Sequence, residues 1–224
     1  MRLSDYSAGK VPTFVFLLPF LLLSCGNEEQ PSRNKTVVRK DSISSPARLQ
    51  PVYPNFLLQP YNGLDDDLVQ YVYQKLQLVH DSIKLLPPAP LPQRAYYSPR
   101  SRYRADTLIM LQSEMAKPGQ VIVGLTHKDI STDKGEYPDW GVMGLGYQPG
   151  EACVASTFRL SKNNLKEQFF KVVIHEMGHT MGLPHCPDQS CYMTDAEGKN
   201  KTDSEIGFCT SCKKVMASKG FHGL

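Results

Sequence analysis

The sequence predicts an α/β (α+β) domain, a small twisted mixed sheet with packed helices. Three observations carry that expectation. Residues 120–126 form an unbroken run with Val121, Ile122, Val123 and Leu125, as expected of a strand buried on both faces. Two longer segments, 65–80 and 162–181, repeat their apolar residues at helical spacing. Strand-like and helix-like runs alternate along the chain instead of segregating. With 224 residues, 41% hydrophobic and 21% charged, the chain has the length and composition of a globular domain with a real core.

Taken in order, the first 24 residues read as a signal peptide. Arg2 and Lys10 precede an apolar run, 11–23, that is short for a bilayer and is interrupted by Pro12 and Pro19. The run ends Leu22-Leu23-Ser24-Cys25, which resembles a bacterial lipobox. A lipidated Cys25, export and a membrane anchor are therefore expected. Residues 25–50 are rich in Ser, Pro, Arg, Lys, Glu and Asn and read as a flexible tether, too polar to bury a core. The domain then occupies 51–224.

Within the domain, 52–59 reads as a strand and Tyr61-Asn62-Gly63 as the turn leaving it. Residues 65–80 read as a helix. Asp65, Asp66 and Asp67 crowd its first turn, where anions are favoured, and Leu68, Val72, Tyr73 and Leu76 form its apolar face. Residues 82–86 read as a short strand and 87–99 as a proline-rich loop. Residues 104–114 fit either a helix or a strand. Beyond the strand at 120–126, residues 127–140 are polar and turn-rich, 142–147 form a glycine-interrupted strand, and 151–158 form another strand. Ser161 can cap a helix from about 162 to 181, with Leu165, Phe169, Val172, Val173 and Met177 as core contacts.

That last helix carries the chemistry. Residues 175–186 read His-Glu-Met-Gly-His-Thr-Met-Gly-Leu-Pro-His-Cys. His175 and His179, four apart, project from one helical face. Gly182 can end the helix in a left-handed conformation and so return His185 to the pair. Three neutral imidazoles leave a fourth zinc position open to water, and Glu176 can take that water's proton. The extended H-E-x-x-H-x-x-G-x-x-H pattern is far more specific than H-E-x-x-H alone. Gly178, inside the helix, costs about 1 kcal/mol relative to alanine, which points to close packing beside the metal. Four cysteines follow, Cys186, Cys191, Cys209 and Cys212, in the pattern C-x4-C-x-M-x15-C-x2-C, with Met193 between the pairs. This spacing fits a closed four-thiolate zinc site, and it also fits two disulfides in an exported chain. Cys153, in an apolar run, reads as a buried small hydrophobe.

Together the two motifs resemble the archaemetzincins, metzincin-like zinc peptidases in which the long histidine motif runs directly into a four-cysteine zinc site. The match is close over 162–215 and looser from about residue 52. The resemblance implies a metzincin-like zincin fold with an active-site helix, a helix over 104–114, and a zinc metallopeptidase acting on a peptide or protein. It implies two zinc ions. The catalytic ion would sit on His175, His179 and His185, with Glu176 as general base and Met193 as a hydrophobic floor. The structural ion would sit on Cys186, Cys191, Cys209 and Cys212. The 15-residue spacer from Met193 to Cys209 is slightly shorter than the family's usual pattern. An extended substrate could pair with an edge strand near 152–157, and Tyr147 or Tyr192 could assist at a developing oxyanion. A net charge of only +3, with no large basic patch around Lys213 and Lys214, argues against nucleic acid as a partner. The competing reading is a non-catalytic zinc-binding lipoprotein that recognises a peptide or protein; Glu176 weighs against it. No pattern in the chain sets an oligomeric state.

Overall fold

The structure is a computed structural model and describes residues 54–224. The expected signal peptide, tether and Cys25 lie outside the described residues.

A five-stranded sheet forms the frame. Its strands are β1 (Asn55–Pro60), β2 (Ile83–Leu85), β5 (Gln120–Thr126), β8 (Gly144–Gly146) and β9 (Ala152–Ser156), in the order β2-β1-β5-β9-β8. All neighbours are parallel except β8, which runs antiparallel to β9 at the edge. The central position of β5 explains its unbroken apolar run: both faces are covered, and every residue from Val121 to Thr126 is buried.

Helices cover both faces. Helix α3 (Leu165–Thr180) lies against β8, β9 and helix α1 (Asp66–Gln77), while helix α2 (Ala105–Met115) covers the opposite face of β9. The side-chain alternation of β9 makes this possible. Cys153 and Ala155 join the core shared with α3, and Ala152 and Val154 join a smaller core with Ala105, Leu108 and Ile109 of α2. Small residues at all four positions let two helices approach one strand closely. Residues 105–115 are thus helical, with Ala105, Leu108, Ile109 and Gln112 buried at helical spacing. At α1 the Asp65 carboxylate accepts from the backbone N–H of Asp67 (2.8 Å) and Leu68 (3.4 Å), an N-cap contributing about 1 kcal/mol.

The structure departs from the sequence reading by adding a second sheet. Its strands are β3 (Tyr96–Tyr97), β4 (Arg102–Arg104), β6 (Ile130–Lys134) and β7 (Tyr137–Val142), in the order β3-β4-β6-β7. The sequence makes 87–99 a proline-rich loop and 127–140 a polar, turn-rich stretch, and assigns no element to 100–103. The strands are short, and two are held by charge rather than apolar alternation. Arg102 is buried between Asp129 (3.0 Å) and Asp139 (3.6 Å), and Arg159 reaches Asp129 at 2.7 Å. A C-terminal helix, α4 (Thr210–Ser218), was also not anticipated; Met216 and Phe221 anchor this end in the core.

Candidate metal centres and cleft

The last turn of α3 and its cap build the first centre. Gly182 adopts φ +95°, and two backbone bonds close the helix there: Gly182 N–H to His179 O (2.8 Å) and Leu183 N–H to Gly178 O (3.0 Å). This is a Schellman cap, which a Cβ at residue 182 would strain. It turns the chain so that His185 rejoins His175 and His179. The ring centroids of the three imidazoles lie 4.7–5.5 Å apart, and one nitrogen from each falls within 4.8 Å of the others.

Hydrogen bonding fixes how two of these rings present themselves. His175 Nδ1 is 2.6 Å from the carbonyl oxygen of Tyr192, and His179 Nδ1 is 2.8 Å from that of Leu183. A carbonyl only accepts, so each Nδ1 must carry the proton and donate. Both Nε2 atoms are then bare lone pairs, and they face each other at 3.1 Å. Two lone pairs at that distance repel unless a cation lies between them. Ligand nitrogens about 2.0–2.1 Å from a tetrahedral zinc stand about 3.3 Å apart, so the arrangement fits the ion. Burial and the neighbouring imidazoles push the His175 pKa down to about 3, which keeps the ring neutral as a ligand must be. Around His185, an oxygen of the Asp195 carboxylate lies 3.6 Å from Nδ1. Sequence reasoning missed Asp195; it lies in an irregular loop that only the fold returns to the site.

Glu176 is also on α3, and its side chain packs under β8 against Gly144. It is 6% exposed, and burial pushes its pKa up to about 8. Gly144 and Gly146 of β8 make this possible. A Cβ at residue 144 would stand 2.6 Å from Glu176 Cγ, and one at 146 would stand 2.8 Å from the Glu176 carbonyl oxygen. Gly178 serves the other side of α3. A Cβ there would collide with Met193, with Cε at 3.2 Å and Sδ nearer still, so the glycine lets the fully buried Met193 pack against the helix.

His175, Glu176, His179 and His185 all line one cleft of about 730 Å³, with β8 also on its wall. Strand 152–156 does not offer an edge, because β8 pairs with it and covers that side. The edge next to the imidazoles is β8 itself. Neither Tyr147 nor Tyr192 lines the cleft. Tyr192 packs edge-on between Phe170 and Phe208 and serves the site through its carbonyl, not its hydroxyl.

The second centre joins the loop after α3 to the start of α4. The Sγ atoms of Cys186, Cys191, Cys209 and Cys212 all lie within 4.8 Å of one another, and no disulfide links them. Cys186 and Cys209 stand 3.7 Å apart. A disulfide requires about 2.05 Å, whereas thiolates 2.3 Å from a tetrahedral zinc stand about 3.8 Å apart. Backbone N–H groups of Met193 (3.5 Å) and Cys209 (3.3 Å) point at the Cys191 sulfur, as donors that stabilise a metal-bound thiolate do. Cys153 stands apart, fully buried, and burial raises its thiol pKa well above the ordinary range.

Comparison with known proteins gives the chain's family. The model for peptidase family M54 matches residues 66–218, from the start of α1 to the end of α4. Archaemetzincin of Haloquadratum walsbyi is 33% identical over 139 residues, 56% of this chain and 78% of that protein. Archaemetzincin of Natronomonas pharaonis is 31% identical over 158 residues, 65% of this chain and 85% of that protein. The solved structure of the Methanopyrus kandleri archaemetzincin superposes with a TM-score of 0.64 at 25% identity, covering 75% of this chain and 96% of that one.

These matches correct one expectation. An exported bacterial lipoprotein, with a signal peptide and a membrane anchor at Cys25, is not what the chain resembles: its relatives are archaeal archaemetzincins, and the family match begins at residue 66. No helix among the described residues is long and apolar enough to cross a membrane. A short apolar run ending in Leu-Leu-Ser-Cys is a local hydropathy pattern, and it carried no information about the domain behind it. By its family match and its superposition on solved relatives, the chain belongs to peptidase family M54, the archaemetzincin group of zinc-peptidase homologues.

Proposed function

We propose that this chain hydrolyses peptide bonds, with zinc bound by His175, His179 and His185 and with Glu176 as general base. The observation that carries the reading is the pair of facing Nε2 lone pairs, each set by an Nδ1–H bond to a backbone carbonyl. The peptidase domain spans residues 51–224. Zinc held there would supply Lewis acidity and favour deprotonation of water near neutral pH.

The chain's own groups do the rest. Glu176 accepts the proton of the attacking water at its carboxylate and returns it to the leaving amine. Its burial favours proton uptake, and β8 limits its movement. The edge of β8 orients an extended peptide by main-chain pairing beside the imidazoles. Met193, held beneath α3 by the absence of a Cβ at Gly178, forms an apolar floor. Cys186, Cys191, Cys209 and Cys212 would hold a second zinc, which would act as a staple between the α3 cap and α4. The malonate named in the Archaeoglobus fulgidus archaemetzincin structure fits such a cleft chemically, since carboxylates suit an open metal position.

Glu176→Gln tests the assignment. It should abolish hydrolysis of a peptide substrate while zinc content stays that of the wild type, because the base is not a ligand. Wild-type turnover in that variant would remove Glu176 from the mechanism.

A further inference from the structure

The cleft continues past the imidazoles along α3. Lys171 lies four residues before His175 on the same helical face, about 6 Å along the axis. Lys171, Thr194 and Glu205 line this part of the cleft. The Lys171 ammonium donates to the carbonyl oxygens of Thr202 (2.8 Å) and Glu205 (2.6 Å), which ties the 202–205 loop to α3. Two of its three donors are thereby engaged by backbone.

The oxygens beside it are in the opposite condition. Glu205 is 6% exposed, and no hydrogen bond or ion pair engages its carboxyl among the described residues. Burial pushes its pKa up to about 7, with the charge of Lys171 opposing only in part. Thr194 is 1% exposed, and its Oγ1 has no partner either. Buried polar atoms are normally satisfied, so a buried hydroxyl without a partner, beside a cleft-lining carboxylate that no protein group pairs, marks a place where a ligand brings the donors.

We infer that this end of the cleft is a substrate subsite for a basic side chain, arginine or lysine, and that Glu205 determines the preference. The inference rests on the peptidase reading and names the specificity of the same site. A guanidinium offers up to five donors and a charge that a poorly solvated carboxylate favours. An acidic side chain brings acceptors where acceptors are already in excess, and sets a second carboxylate beside Glu205. An aliphatic side chain leaves the hydroxyl and the carboxylate unpaired.

Two experiments test it together. The zinc-loaded protein is offered peptides identical except at one position, which carries Arg, Lys, citrulline, Glu or norleucine. Separately, Nα-acetyl-arginine amide and its norleucine analogue are titrated calorimetrically into zinc-loaded Glu176→Gln protein, in which Glu205 is intact or replaced by Gln. Arg and Lys peptides should be cleaved at least about tenfold faster than the others, citrulline included, and Glu205→Gln should bring the ratio of Arg to norleucine cleavage close to one. The arginine amide should bind, the norleucine analogue should not, and Glu205→Gln should lose that binding. Equal cleavage of all five peptides, or a preference that survives Glu205→Gln, overturns the inference. If no peptide is cleaved, the peptidase reading has failed and the calorimetry decides alone: arginine-amide binding lost in Glu205→Gln supports the subsite, and absent or unaltered binding overturns it. Should Glu205→Gln not fold, Glu205→Asp keeps the charge and withdraws it by one methylene. It should shift the preference from Lys towards the longer Arg, and an unchanged Arg-to-Lys ratio overturns the inference.

Discussion

Gly144→Ala isolates the placement of Glu176 from the placement of the metal. A Cβ at residue 144 would stand 2.6 Å from Glu176 Cγ and 2.7 Å from Cδ, where ordinary contact begins at 3.4 Å. The buried Glu176 side chain must therefore withdraw by about 0.8 Å. Displacements near 1 Å cost about 100-fold in rate when a reacting group is misplaced. The expected kcat/KM falls about 100-fold, or about 2.7 kcal/mol of transition-state stabilisation. Stability should fall by no more than about 2.6 kcal/mol: overpacking costs about 1–3 kcal/mol, partly offset by about 0.4–1 kcal/mol from the stiffer unfolded chain. The zinc content should match the wild type, since no ligand is touched. Gly146→Ala is the contrast. Its Cβ would meet the Glu176 carbonyl oxygen at 2.8 Å and the Cβ atoms of Cys153 and His179 at 3.3 Å. Backbone cannot swing aside, so this variant should lose stability first. A quenched-fluorescence peptide assay, metal analysis and thermal melts read all three quantities. Wild-type kcat/KM from a zinc-replete Gly144→Ala protein would refute the argument that the β8 glycine exists to seat the Glu176 carboxyl.

Other outcomes follow from the same structure. Cys209→Ser should release one zinc per chain, lower the melting temperature and leave the imidazole centre loaded; unchanged stoichiometry would remove the thiolate site. Gly178→Ala should raise local helix propensity by about 1 kcal/mol yet destabilise the protein, because Met193 has no room to yield; a net gain in stability in denaturant would show that Met193 is loosely held. Arg102→Ala strips the buried partner of Asp129 and Asp139 and should cost about 3–5 kcal/mol in urea unfolding, where a loss below about 1 kcal/mol would mark the pairs as incidental. The raised pKa of Glu205 means that folding favours its protonated form, a contribution present below its unfolded pKa and lost as pH rises through about 7. Wild-type stability relative to Glu205→Gln should therefore fall between about pH 5 and pH 7.5, and a flat or rising difference would contradict the burial of that carboxyl.

The parts of the fold legible in the sequence were those whose signal is local. The run at 120–126 needed only its own residues to declare a doubly covered strand, and the imidazole motif carried its geometry in the spacing 175, 179, 185 and in Gly182. The second sheet was not legible because Tyr96–Tyr97 and Arg102–Arg104 are too short for alternation to register, and because Arg102, an unfavourable residue to bury, is matched only by aspartates distant in sequence. Asp195 and Glu205 were missed for a similar reason: loop residues gain a role only when the chain returns to α3. Lys171 had a readable signal, four residues before His175 on the same face. The edge strand was misassigned because a strand's position in a sheet is set by its neighbours, and the glycines of β8 looked like interruptions when they are the close approach that seats Glu176.

Diffraction at the zinc absorption edge tests the central claim most directly. The account predicts two anomalous peaks per chain: one bounded by Nε2 of His175 and His179 and a nitrogen of His185 with a fourth side open to the cleft, and one enclosed by the four cysteine sulfurs. A single peak at the cysteines, or an ion at the imidazoles closed off by a fourth protein ligand, would contradict it.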